Sequence, residues 1–264
     1  MAYATLMSHA TPNTMTGPPA CPVCGAATTL LDVVDLNKSC EEARGIFLPI
    51  AGIPVYYSLC DQCGFCFAPE LHRWSIDEFS ARIYNDDYKQ VDPDYLDARP
   101  RANAQLLANM FAKQVLAIRH LDYGGGNGEL SSELFAAGWD STSYDPFVDG
   151  PLREDLGRFN LVTSFEVFEH VPDVNHLIST LASLVEEDGM VLFSTLLSDG
   201  ILARNQRVQW WYASPRNGHI SLFSRRSLAL LGEKEGLDLV SFSPNLHAFW
   251  RKIPSWAAEV FKPA

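Results

Sequence analysis

From about residue 116 onward, short apolar runs alternate with stretches whose apolar residues recur every three or four positions. Strands joined by helices look like this, because a buried parallel strand is apolar on both faces and a covering helix on one. The pattern predicts a strand over Val115–Tyr123, then a glycine-rich loop and a helix over Glu129–Ala137 stopped by Gly138. A second strand, Thr142–Tyr144, ends at Asp145-Pro146, and Phe159–Phe165 (FNLVTSF) reads as a buried strand. A helix follows over Val174–Glu186 with Asp173 as its N-cap, then a turn at Asp188-Gly189 and a buried strand over Met190–Leu196. Ser227–Glu235 reads as a helix capped by Ser224 and ended by Gly236, and Leu237–Phe242 as a late strand. The implied class is α/β.

The preceding chain divides further. Residues 71–115 are richer in helix formers and read as a helical connecting segment. Residues 20–70 carry cysteines among many Pro and Gly, and residues 1–19, rich in Thr, Pro, Ala and Met, read as a disordered tail. The expected organisation is therefore tail, cysteine module, helical segment, and a large α/β domain over 116–264.

Charge and hydropathy narrow the function classes. The formal net charge of −12 repels phosphate backbones, and Lys and Arg are scattered apart from Arg225-Arg226, so no nucleic-acid partner is expected. No apolar run reaches the roughly 18–20 residues that cross a membrane, and the first residues lack a basic region followed by an apolar core. A cytoplasmic protein acting on a small molecule is expected.

All six cysteines fall between Cys21 and Cys66. Such clustering argues for a local metal site rather than a dispersed disulfide framework. Cys21-Pro-Val-Cys24-Gly and Cys60-Asp-Gln-Cys63-Gly form two matching knuckles. Each lets two thiolates reach one ion from a tight turn, and the glycine after the second cysteine relieves strain there. Four thiolates satisfy tetrahedral zinc with no open position, which makes the site structural. Buried cysteines or redox chemistry are the alternatives. Cys66 competes as a ligand, having CxxC spacing with Cys63, and Cys40 reads as a buried thiol.

The loop after the first predicted strand carries Gly124, Gly126 and Gly128. Glycines there leave room for a ligand, and the next helix offers free amides. A dinucleotide-binding GxGxxG needs a third glycine at Glu129 or Ser131, so that reading fails. Asp122 suits a ligand bearing an amino group. Asp145, seventeen positions after Gly128, closes the next strand where a carboxylate can accept both ribose hydroxyls. Glu166, Glu169 and His170 follow the third strand, at the ligand edge of such a sheet.

Together LDYGGGNGEL, SYDP, FNLVTSFEVFEHVPD and GMVLFSTLL, in this order, resemble the class I S-adenosylmethionine-dependent methyltransferases over roughly residues 100–245. The resemblance implies a Rossmann-like sheet with helices on both faces. It also implies that Asp122 and the glycine loop hold the methionine end of S-adenosylmethionine, that Asp145 holds its ribose, and that Glu166 lies beside the methionine and the loop. The CxxC pair resembles the zinc-binding module, zinc-ribbon-like, that precedes some sugar and natural-product methyltransferases. One departure stands out: only thirteen residues separate Asp145 from Phe159, too few for the helix and strand usual there. Asp155, or a pocket of Pro146, Phe147 and Leu156, is then left to meet adenine.

The segment Val208–Ser224, with Trp210, Trp211, Arg216 and His219, suggests a wall of the methyl-acceptor pocket. Displacement at a sulfonium methyl needs proximity, and a base when the acceptor is a hydroxyl, amine or carbon acid. His219 is the first candidate base and His170 the second, with Glu169 beside them. The expected acceptor is a sugar, nucleotide-linked sugar or other secondary metabolite. A non-catalytic zinc-containing interaction protein and an NAD-dependent oxidoreductase are the competing classes.

Overall fold

The structure is a computed structural model that describes residues 19–261, so most of the expected N-terminal tail lies outside the described residues. Its elements are β1 (Thr29–Asp35), β2 (Pro54–Leu59), β3 (Cys66–Phe67), α1 (Ile76–Arg82), α2 (Tyr88–Val91), α3 (Ala98–Met110), β4 (Arg119–Tyr123) and α4 (Glu129–Ala136). These are followed by β5 (Asp140–Tyr144), β6 (Phe159–Phe165), α5 (Val174–Leu184), β7 (Val185–Ser194), β8 (Ser221–Leu222), α6 (Arg225–Lys234), β9 (Asp238–Ser241) and β10 (Leu246–Trp250).

Six strands form the main sheet in the order β5-β4-β6-β7-β10-β9. β5, β4, β6 and β7 are parallel, and β10 runs antiparallel to both β7 and β9. The alternation of side chains along each strand supplies both cores. Leu161, Met190, Leu192, Ala248 and Trp250 pack with Leu107 and Phe111 of the α3 region and with Leu130 and Leu134 of α4. Val162, Val191, Phe193 and Phe249 meet Leu177 and Leu181 of α5 and Leu228 and Leu231 of α6. Helices therefore cover both faces, as the sequence implied. The helix starts are set by side chains: Asp173 accepts from the His176 amide at 2.9 Å, and Ser224 and Ser227 form a reciprocal capping box.

β1, β2, β3 and β8 make a second, antiparallel sheet. β8 comes from the segment after β7, so this sheet draws on both ends of the chain. Tyr57 and Leu59 of β2 pack there with Phe79 and Ile83 of the α1 region and with Tyr212, Ile220 and Leu222.

Several expected elements shift. Val115–Ala117 is a 3-10 turn and β4 starts at Arg119, because the Asn160 side chain takes the Arg119 amide at 2.6 Å and gives an N–H to the Ala117 carbonyl. The Asp188-Gly189 turn is absorbed into β7: three residues of β6, Phe159 to Leu161, face six of β7, Val185 to Met190. The turn signal marks this bulge, not a chain reversal. β10, which the sequence reading did not include, fills the gap between β7 and β9. Between β5 and β6 the described residues hold only a 3-10 turn at Glu154–Leu156.

Candidate active site

The parallel strands β4, β5 and β6 end on one edge of the main sheet, and the candidate residues gather there. Asp122 is buried on β4 and accepts a hydrogen bond from the Thr163 hydroxyl at 2.7 Å. Thr163 meets His120 Nε2 at 2.8 Å, and His120 Nδ1 meets the Ser141 hydroxyl at 2.7 Å. This chain of polar contacts fixes the floor under the loop. Burial raises the Asp122 carboxyl to about 6, with Asp145 adding to the rise and Thr163 opposing it.

Above that floor the backbone has little freedom. At Gly125 a Cβ would lie 2.6 Å from Asp122 Oδ2 and still closer to the Ser143 hydroxyl. At Gly124, where φ is +78°, it would run into the Val167 side chain. Gly126 differs: nothing lies within 4 Å of a Cβ there, so the loop is open on that side. Gly128, at φ +77°, leads into α4. Asp145 ties the loop to the end of β5. Its Oδ2 accepts the Gly126 amide at 2.9 Å and its Oδ1 the Phe147 amide at 2.8 Å. The half-exposed Phe147 ring stands edge-on to Tyr84 at 5.6 Å, whereas Asp155 pairs with Arg153 at the solvent-exposed surface.

Glu166 leaves β6 at φ +55°, a left-handed conformation that is strained for a non-glycine residue by about 1–3 kcal/mol. Ser194 holds it there, its hydroxyl accepting the Glu166 amide and donating to Oε1, both at 2.9 Å. Glu166 Oε2 lies 3.9 Å from Arg99, which is bound to Asp92 at 2.7 Å. Burial, and then Glu169, raise the Glu166 carboxyl above its usual range.

One turn further, Glu169, His170 and His219 come together from two segments. A candidate ligating atom of each lies within 4.8 Å of those of the other two. The two imidazole centroids are 4.9 Å apart. His219 Nδ1 donates to the Tyr212 carbonyl at 2.7 Å, because a carbonyl can only accept. His170 Nδ1 meets the Tyr84 hydroxyl at 3.1 Å. Neither oxygen of the fully buried Glu169 carboxylate has a hydrogen-bond partner of full geometry, although the hydroxyls of Tyr212 and Thr195 stand near. Burial raises the Glu169 carboxyl, lowers His170 to about 4, and keeps His219 well below the usual histidine range. Both rings are neutral near pH 7.

The segment carrying His219 is fastened to the small sheet. The Tyr57 hydroxyl donates to the His219 carbonyl at 2.6 Å, and the Ile220 amide to the Glu169 carbonyl at 2.9 Å. Arg216 is turned inward, donating to the Ile83 carbonyl at 2.7 Å, and so braces the end of α1.

The cysteine knuckles adopt matching turns. The Gly25 amide donates to the Cys21 carbonyl at 2.8 Å and the Gly64 amide to the Cys60 carbonyl at 2.7 Å. Sulfur atoms of Cys21 and Cys63 lie 3.6 Å apart, those of Cys24 and Cys60 3.5 Å. A tetrahedron of thiolates about 2.3 Å from zinc has edges of roughly 3.8 Å, so the four donors fit that ion. The bonded Cys63 thiol holds Cys21 down at about 5. Cys66 lies outside the group, buried in β3 opposite Leu222. Cys40 is only partly buried, with its sulfur 3.9 Å from His219 Nδ1.

Comparison with known proteins gives the family of the chain. A family model described as a methyltransferase domain matches residues 95–242. The chain belongs to that methyltransferase family. The match meets the expectation drawn from the four motifs and begins after the cysteine module. The ubiquinone biosynthesis O-methyltransferases of Bordetella avium and Vibrio campbellii are similar at 33% identity over 102 residues and 34% over 92 residues. Those matches cover 30% and 34% of this chain, and 42% and 39% of the relatives' own lengths. Among solved structures, a Burkholderia thailandensis 1,6-didemethyltoxoflavin-N1-methyltransferase with bound S-adenosylhomocysteine gives a TM-score of 0.46 at 16% identity. That superposition covers 70% of this chain and 93% of the other. Streptomyces venezuelae DesVI gives 0.43 at 16% identity, over 68% and 100%.

Within the methyltransferase domain the residues expected around the cofactor do share one edge. Those that sequence reasoning missed are one loop glycine and three residues that act at a distance in sequence. Gly125 was passed over in favour of its alternate neighbours, yet it is the most crowded glycine of the loop. Tyr57 and Tyr84 carry no motif and Ser194 has no assigned role within GMVLFSTLL, and only the folded chain sets them beside His219, His170 and Glu166.

Proposed function

We propose that the chain transfers the methyl group of S-adenosylmethionine to a hydroxyl-bearing small molecule, a sugar, nucleotide-linked sugar or other secondary metabolite. One observation carries this reading: the glycine loop, Asp145 and Glu166 lie along the same sheet edge as the buried cluster of Glu169, His170 and His219. Asp122 and the loop would hold the methionine end, Asp145 the ribose, and Glu166 would lie beside the methionine and the loop. S-adenosylmethionine supplies an electrophilic methyl group on a sulfonium. Glu169, His170 and His219 form the centre that activates the acceptor, and the Trp210–Tyr212 segment walls it. The acidic charge and the names of the O-methyltransferase relatives support a small hydroxyl acceptor. Cys21, Cys24, Cys60 and Cys63 hold a structural zinc in the module over residues 20–70, with residues 71–115 connecting it to the methyltransferase domain.

Isothermal calorimetry with S-adenosylmethionine, S-adenosylhomocysteine and NAD tests the cofactor. Binding of both sulfur ligands and not of NAD is expected, and absence of binding to either refutes the reading. Turnover with a panel of hydroxylated acceptors tests the reaction, and His219→Ala is expected to abolish most of it while leaving S-adenosylhomocysteine affinity unchanged. Zinc below one equivalent per chain in protein purified without added metal contradicts the zinc assignment.

A further inference from the structure

We propose that Glu169, His170 and His219 form a second metal site, which binds one divalent transition-metal ion such as zinc or ferrous iron. Three features point to it. The donors are two imidazole nitrogens and one carboxylate, a set that suits such ions and leaves coordination positions open. Their candidate ligand atoms already lie within 4.8 Å of one another, so shifts under about 1 Å would close them onto an ion with bonds near 2.1 Å. The Glu169 carboxylate is fully buried with only the Tyr212 and Thr195 hydroxyls beside it, neither in full hydrogen-bond geometry, so a cation there would offset a burial cost that these neighbours meet only in part.

The surroundings match what metal-binding histidines require. Such a ring usually donates its other N–H to an acceptor that fixes its tautomer and tilt. His219 Nδ1 does this to the Tyr212 carbonyl at 2.7 Å. His170 Nδ1 meets the Tyr84 oxygen at 3.1 Å. Both contacts engage Nδ1, so Nε2 of each ring would be the atom offered to an ion. The Glu169 main chain is itself held, its carbonyl accepting the Ile220 amide next to His219. The two segments that supply the ligands are thus fastened together before any ion arrives.

The contrast with the cysteine cluster is chemical. Four thiolates close the coordination sphere of zinc, whereas two imidazoles and a carboxylate leave at least one place for an acceptor oxygen. A coordinated hydroxyl loses its proton to water at a lower pH, which prepares the oxygen for attack on a methyl group. In this arrangement His219 is a ligand instead of the base expected from sequence. The acceptor's place on the ion rests on the functional reading above; the ion's binding does not.

Cobalt(II) titration of the full chain, stripped of metal, separates the two sites, since thiolate–cobalt gives intense near-ultraviolet charge transfer and a nitrogen–oxygen site does not. Two equivalents per chain are expected, only one of them with the thiolate signature. Glu169→Gln and His219→Gln should each weaken the second equivalent by at least about 100-fold and leave the thiolate signal intact. That retained signal, with an unchanged circular dichroism spectrum, shows the variants folded. Tyr84→Phe keeps all three ligands and should weaken the same equivalent by about 10-fold. A wild-type chain that takes up only the thiolate-bound equivalent overturns the proposal, as does a second equivalent indifferent to Glu169→Gln and His219→Gln. Calorimetry with S-adenosylhomocysteine on the same samples keeps the two readings apart. Loss of cofactor binding with both metals retained defeats only the methyltransferase function, and cofactor binding kept with only the thiolate-bound metal taken up defeats only the second metal.

Discussion

Replacing Gly125 by alanine tests whether the loop's position is set by the floor beneath it. The added methyl would lie 2.6 Å from Asp122 Oδ2, 3.1 Å from its Cγ, and closer still to the Ser143 hydroxyl. Carbon and oxygen in contact need about 3.3 Å, so loop or floor must move by roughly 1 Å. Neither yields easily, because Asp122 is held by Thr163 at 2.7 Å and the loop by the Gly126–Asp145 bond at 2.9 Å. Overpacking of this kind costs about 1–3 kcal/mol. The backbone of Gly125 is not left-handed, so the effect is steric and not conformational. If the loop moves, the open side at Gly126 would no longer fit the cofactor proposed to lie there. S-adenosylhomocysteine affinity measured by calorimetry should then fall about 10- to 100-fold, which corresponds to roughly 1.4–2.7 kcal/mol. Adding Ser143→Ala removes the nearest obstacle and should restore part of the loss, leaving the share due to Asp122. Wild-type affinity and melting temperature in Gly125→Ala, or a double variant no better than the single, would refute the reasoning.

Two further outcomes follow from buried polar groups. Tyr57→Phe deletes one hydroxyl and leaves the His219 carbonyl short of its 2.6 Å donor, so unfolding in urea should show a loss of about 1–3 kcal/mol, with turnover reduced and S-adenosylhomocysteine affinity kept. The Asp122 carboxyl stands at about 6 when folded against 3.8 as its ordinary value. The folded chain therefore holds that proton more tightly than the unfolded one, so the favourable contribution is complete below about 3.8 and fades as pH rises through about 6. Asp122→Asn, which carries no such charge, should gain stability relative to the parent between pH 4.5 and 7, by up to a few kcal/mol in urea unfolding. A stability difference that is flat across that range would show that Asp122 is not destabilised by burial.

The sequence alone determined the local features. Strand-to-helix alternation, the glycines after β4, the knuckles at Cys21 and Cys60, and the caps at Asp173 and Ser224 each depend on residues within a few positions of one another. These were enough to give an α/β methyltransferase and to bring Asp122, Asp145 and Glu166 to one edge, because parallel strands joined by helices all end on the same side. The tertiary structure decided what distant segments do to each other. β8 pairs with β3 across more than 150 residues, Tyr57 reaches His219, and Tyr84 reaches His170. β10 inserts between β7 and β9, and a turn signal at Asp188-Gly189 becomes a bulge because β6 runs beside it. Glu169, His170 and His219 are a separated dipeptide and single residue in the sequence; only the folding of the His219 segment against the small sheet and the Glu169 turn brings them together. Local steric and hydrogen-bond preferences are written in neighbouring residues, whereas burial and the meeting of charges depend on which segments the folded core presses together.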